Sequence, residues 1–273
     1  MRDVAPLLRL KGIWCCLLMA ASLLTCPWPQ AWAEDNPVSE GWSFQLAPYL
    51  WAISLDGDVT VRGQKSSVDV GFDDLVQKLN AGAMIEGEAR YGRFGVFANT
   101  VYADLSDDAS GGGTKLDADA ETLWLGFGAY YRLGPWALDE GASGDPVTVT
   151  VDPYAGARYT YLDLQLDFKP GPNFSGDKDW VDPIIGLRTI WDLSDRWSVT
   201  LAGDIGGFGV GSDFTWQAIG LVGYRFGLFG EDDARILGGY RALYQDYKDG
   251  SGTNKFEWDM TLYGPIFGMA VEF

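Results

Sequence analysis

The sequence predicts an all-β fold: a single transmembrane, antiparallel, up-and-down β-barrel of about ten strands, with eight and twelve as the neighbouring alternatives, preceded by a cleaved signal peptide. Three observations lead there. After residue 33 no run of about 18 apolar residues occurs, which removes helical spanning. Apolar and polar residues instead alternate over segments of about 10–13 residues, the length a tilted strand needs to cross a bilayer. Strands of a soluble sandwich usually run to about 5–6. Aromatic residues gather at the segment ends, as they do at the two interfaces of a membrane-spanning barrel. A mean hydropathy of −0.05 is no objection, because lipid-facing and lumen-facing residues cancel in the average.

The chain starts with an export signal. Arg2, Arg9 and Lys11 form a positive lead, residues 13–24 an apolar stretch of 12, and Ala31-Trp32-Ala33 a small-residue cleavage site that leaves Glu34 first. Twelve apolar residues are too few for a spanning helix, which needs about 20. A lipoprotein signal ending at Cys26 is the rival, and Thr25 before that cysteine fits it poorly. The domain plan is therefore 1–33 signal peptide, 34–41 periplasmic lead and 42–273 barrel. Cys15, Cys16 and Cys26 all leave with the signal, so the mature chain contains no thiol and no disulfide. Removing Arg2, Asp3, Arg9 and Lys11 leaves 17 basic and 37 acidic residues, a net charge of −20, which excludes nucleic acid as a partner.

In chain order the strands are expected at 42–60, 80–91, 93–106, 117–132, 148–162, 180–193, 196–206, 214–226, 234–247 and 256–273. The first is read as one long strand, because a hairpin at Asp56-Gly57 would give an odd count. Segment 65–80 breaks the two-residue period. There Phe72, Leu75, Val76 and Leu79 fall at i, i+3, i+4 and i+7, an amphipathic helix with Asp73 and Asp74 in its first turn. Tyr130, Tyr131 and Trp136 mark the end of the fourth strand. The link that follows, 133–147, is longer than its counterparts at 91–93, 193–196 and 226–234. In 180–193, Val181, Ile185, Leu187, Trp191 and Leu193 alternate with Asp182, Arg188 and Asp192. In 196–206, Trp197, Val199, Leu201 and Ile205 alternate with Arg196, Ser198, Thr200 and Asp204. In 214–226, Phe214, Trp216, Ala218, Val222, Tyr224 and Phe226 oppose Gln217 and Arg225, with Phe229 just beyond.

The last strand is the most specific. Phe273 ends the chain, and Val271, Met269, Phe267 and Tyr263 share its face. Pro265 interrupts the pattern and suggests a bulge, since proline cannot donate to a ladder. This end resembles the terminal strand of small, poorly characterised Gram-negative outer-membrane barrels of the OmpW-like and porin-like class, and the stretch 194–226 resembles them too. The resemblance covers roughly 40–273 and names no activity. It implies an outer-membrane location in a Gram-negative bacterium and periplasmic termini. It also implies an insertion signal at Phe267, Met269, Val271 and Phe273, read by the barrel-assembly machinery. The enzymes among such barrels resemble one another in using a catalytic His.

This chain has no His at all, so neutral-pH proton transfer by imidazole and His or Cys metal sites are both excluded. Asp107-Asp108 and Glu86/Glu88 are nominal carboxylate pairs without a nucleophile. We therefore expect no enzyme, no catalytic residue, no cofactor and no metal site, the acidic loops lacking the spacing of a calcium loop. Alternation assigns Glu86, Glu88, Arg90, Asp104, Asp152, Arg158, Arg188, Asp192, Asp204, Arg225 and Arg241 to the lumen. Opposite charges there form either a structural plug or a narrow hydrophilic conduit with Arg158, Arg188 and Arg241 as an anion-favouring strip. The functional expectation is a monomeric, non-enzymatic channel for small hydrophilic solutes. The alternative is a closed barrel acting in envelope structure or surface interaction through loops 52–80, 107–116 and 163–180, in contact with lipid and lipopolysaccharide.

Overall fold

The computed structural model describes residues 41–111, 114–140, 146–169, 173–228 and 233–273. The signal peptide, residues 34–40 of the lead and Phe229 lie outside the described residues. In chain order the elements are β1 (Trp42–Trp51), β2 (Ser54–Val61), β3 (Gln64–Val70), α1 (Phe72–Gln77), β4 (Leu79–Tyr91), β5 (Phe94–Gly111), β6 (Thr114–Tyr131), β7 (Leu133–Glu140), β8 (Pro146–Lys169), β9 (Asn173–Asp192), β10 (Trp197–Gly206), β11 (Phe214–Phe226), β12 (Ala234–Asp249) and β13 (Phe256–Glu272).

Consecutive long strands pair antiparallel, and β1 pairs with β13, so the sheet closes on itself. Ten strands form the ring: β1, β4, β5, β6, β8, β9, β10, β11, β12 and β13. Closure removes the exposed edges that would otherwise recruit another chain. It also meets the demand of lipid that every backbone polar group find a partner within the fold.

The remaining strands continue ring strands or fold back on them. β2 keeps the register of β1 against β13: Trp51 faces Ile266 and Ser54 faces Tyr263, so 42–61 is one strand with a gap at 52–53. Pro265 explains the gap. Its carbonyl accepts from Ala52 N at 2.9 Å, but it has no N–H to return. Register on both sides stays intact, so no bulge forms at Pro265; the ladder misses a bond instead. Segment 65–80, expected to break the strand pattern, begins instead as a strand, β3. Arg62 (φ +53°) and Gly63 (φ +78°) turn the chain by a two-residue loop, and β3 runs back along β2. Only 72–77 are helical, and Leu79 opens β4.

Two further expectations change. The link 133–147 is largely strand: β7 continues the course of β6 along β8 with register shifts, and residues 141–145 lie outside the described residues. The acidic segments 107–116 and 163–180 are mostly strand rather than loop, since β5 and β6 stay paired from Phe94↔Tyr131 to Gly111↔Thr114 and β8 and β9 up to Asp167↔Asn173.

Outward residues are apolar and exposed, among them Leu50, Val96, Ile185, Leu201, Val222 and Ile236. At the end of the barrel where β1 begins and β13 ends, rings form a belt. Phe44 lies against Phe273, Trp42 against Tyr91, Phe94 against Tyr131 and Trp197 against Tyr224, with centroids 4.8–6.0 Å apart. This is the amphipathic girdle expected where hydrocarbon meets water. Phe267, Met269, Val271 and Phe273 all take the outward face, as the alternation of the last strand requires.

Candidate functional site

The lumen divides into two compartments with opposite chemistry. In the half where β1 begins and β13 ends, all ten ring strands turn a polar side chain inward. Glu86, Glu88, Arg90, Arg158, Arg188, Asp192, Asp204, Arg225 and Arg241 line one cavity of about 380 Å3. Asp152 joins the same network, fully buried. Asp104 does not. It shares parity with the outward Phe94 and Val96, whereas its neighbours Ala103 and Leu105 face inward. The alternation along β5 places it outside, opposite Glu121 on β6.

The inward charges are paired across the lumen. Arg158 donates to Asp204 at 2.8 Å, and Tyr154 and Gln217 donate to the other oxygen of that carboxylate at 3.0 and 3.1 Å. Arg188 bridges Glu88 and Asp152, and Arg132 holds Asp152 from the other side at 2.8 and 3.0 Å. Arg241 donates to Gln217, Tyr49 and Asn99, and Asn99 in turn donates to Glu86. A charge taken from water is tolerable only when such partners replace its hydration. The three arginines expected to form an anion-favouring strip are thus engaged with protein groups.

Local sequence explains how the tyrosines reach. Tyr130 lies directly across from Gly95, and Tyr154 across from Gly186. A Cβ at Gly95 would sit 2.2 Å from the Tyr130 ring, and one at Gly186 2.3 Å from Tyr154. The missing side chains let each ring lie over the neighbouring strand, which sends Tyr130 Oη to Glu88 and Tyr154 Oη to Asp204, both at 3.0 Å.

The distal half is apolar. Trp51, Val101, Trp124, Leu243, Met260, Leu262 and Ile266 form a buried layer across the lumen. The Arg241 guanidinium lies 4.5 Å from the Trp51 ring, at the boundary between the compartments. Trp124 Nε1 donates to Gln245 and Gln245 to Thr160, which ties the layer to the wall. Beyond it opens a cavity of about 640 Å3, walled by Ile53, Leu55, Leu105, Leu162, Phe256 and Trp258 among others. Phe72, Leu75, Val76 and Leu79, the predicted amphipathic stripe, line this same cavity. Arg62, Lys178 and Lys255 stand among its lining residues. At the exposed β2–β3 hairpin, which carries the barrel wall beyond β1, a hydrogen bond to Asp58 raises the pKa of the Lys65 ammonium above its ordinary value. Asp107, a nominal acid–base candidate, is engaged with Lys78 at 2.7 Å, and the side chain of Asp108 lies outside the described residues.

Sequence reading missed Arg132, Arg235 and the apolar layer. Counting back by twos from Arg241 reaches Arg235, so parity contained that signal. Nothing local marks Trp51 and Trp124 as meeting inside the barrel, because they lie on strands that touch only through the lumen.

No protein-family model and no curated protein matches the chain. Among solved structures, the attachment invasion locus protein Ail of Yersinia pestis aligns over 86% of this chain and 100% of its own, at 11% identity and TM-score 0.36. Neisserial surface protein A aligns over 86% and 100%, at 13% identity and TM-score 0.32. A Pseudomonas aeruginosa FadL homologue aligns over 85% and 90%, at 10% identity and TM-score 0.27. Overlaps this loose say nothing about shared activity.

Proposed function

We propose that this protein is a non-enzymatic outer-membrane β-barrel that receives an apolar small molecule in its distal mouth and holds the rest of its lumen shut. The distal cavity is the observation behind this reading. Its volume of about 640 Å3 lies within the range of small-molecule pockets, roughly 300–1,000 Å3. Its walls are aliphatic and aromatic, and its floor is the Trp51–Trp124 layer. Phe72, Val76 and Leu79 remain 40–46% exposed at its edge, apolar surface that an apolar occupant would remove from water. The outward apolar band, the aromatic belt and the export signal support a place in the outer membrane of a Gram-negative cell. Lipid and lipopolysaccharide would then surround a monomer inserted through the assembly machinery by its last strand. With the termini periplasmic, the apolar mouth opens outward.

The second reading, a narrow channel for small hydrophilic solutes, is favoured by the polar cavity alone. Two measurements on the barrel in lipid nanodiscs and planar bilayers separate the readings. A brominated medium-chain alkane is expected to quench tryptophan fluorescence saturably, and replacement of Trp51, Trp124 and Trp258 by Phe should remove most of that saturable part. Quenching that only tracks partition into lipid, with no saturable component, would overturn the apolar site. Bilayer recordings are expected to be silent; discrete, salt-dependent current steps would establish the channel instead.

A further inference from the structure

The polar compartment is lined by seven arginines, Arg90, Arg132, Arg158, Arg188, Arg225, Arg235 and Arg241, against five carboxylates, six with the buried Asp152. This is the reverse of the chain as a whole, where 38 acidic residues face 20 basic ones. The imbalance is local. Arg132, Arg158 and Arg188 are bound to carboxylates, and Arg241 is held by neutral acceptors. Arg225 and Arg235 are different. They face each other in register on β11 and β12, both toward the lumen, where like charges directly opposite repel. Arg225 donates to the Asp195 carbonyl at 3.1 Å and reaches the Asp192 carboxylate at 3.4 Å. Arg235 Nε is buried and has no hydrogen-bond partner among the described residues. Room for the Arg235 stem exists only because Gly223 has no side chain: a Cβ there would lie 2.6 Å from Arg235 Cδ.

From this we infer a binding site for a small soluble oxyanion, of the phosphate or carboxylate class, between Arg225 and Arg235 at the terminal end of the lumen. Two guanidiniums presenting planar donor edges to one cavity match the paired oxygens of such an anion. Binding would relieve the cross-strand repulsion and give Arg235 the acceptor it lacks. The site faces the lumen, so a lipid headgroup outside the wall does not supply the anion. It stands on different residues from the apolar mouth, and either site can fail without the other.

Inorganic phosphate titrated into the full-length protein in nanodiscs, at constant ionic strength, tests this by calorimetry and by the heat-unfolding midpoint. Wild type is expected to show saturable binding and a phosphate-dependent rise in the midpoint. Arg235→Gln should weaken binding tenfold or more, and Arg225→Gln should do the same, with the heat-modifiable gel shift retained. Should Arg235→Gln fail to fold, Arg225→Gln alone decides. A wild-type response that chloride reproduces, or equal phosphate binding in wild type and a folded variant, overturns the site.

Discussion

Asp204 accepts from Arg158, Tyr154 and Gln217 at once, and its side chain and that of Arg158 are almost wholly buried. Replacing only Asp204 by Ala leaves the buried guanidinium of Arg158 without its counter-charge. The expected loss is about 3–5 kcal/mol of stability, read from urea unfolding in lipid vesicles. Replacing both, Arg158→Leu with Asp204→Leu, should cost much less, since no orphan charge remains. A double variant as damaged as the single would mean the pair does not act as an ion pair. Parity along each strand makes most of these residues legible: Glu88, Asp152, Arg158, Arg188, Asp204 and Arg241 all turn toward the lumen. Asp104 misled because the strand assigned to it continues past the stretch where inward means polar. At that height the lumen is apolar, and the outward face meets carboxylates such as Glu121.

At the scale of an element, α1 is too short to be stable alone, about six residues against the roughly 12–15 an isolated helix needs, so its packing must hold it. Gly71 accepts from Leu75 N, and Phe72 N donates to Ser54 Oγ at 3.1 Å, anchoring the helix start to β2. Its apolar stripe points into the distal cavity, which decides its role in the proposed function. Leu75→Asp places a carboxylate in that wall and should weaken saturable alkane quenching at least tenfold, about 1.4 kcal/mol, while leaving the fold intact. Unchanged quenching would remove α1 from the site. The stripe was legible from spacing alone. β3 was not, because its Gln64-Lys65-Ser66-Ser67 start is polar on both faces and offers no period to read.

For the whole molecule the decisive feature is closure, with β1 held between β13 and β4. A closed barrel of ten long strands resists detergent until heated. The protein is therefore expected to migrate faster on a gel when unboiled and to shift on boiling; identical migration would contradict a closed barrel. The acidic excess sits mainly at the distal end, along the extended β5, β6, β8 and β9, where Asp104, Glu121, Asp163 and Asp177 stand opposite one another in neighbouring strands.

The sequence by itself determined the architecture: an antiparallel ring of ten strands, with an apolar face turned outward along most of them. It could do so because alternation is a local property, written two residues at a time. Only the tertiary structure decided that the lumen is split into a polar and an apolar half. Trp51, Trp124 and Leu243 are far apart in the chain and meet only when the sheet closes. Register between neighbouring strands, not composition, set Arg225 opposite Arg235.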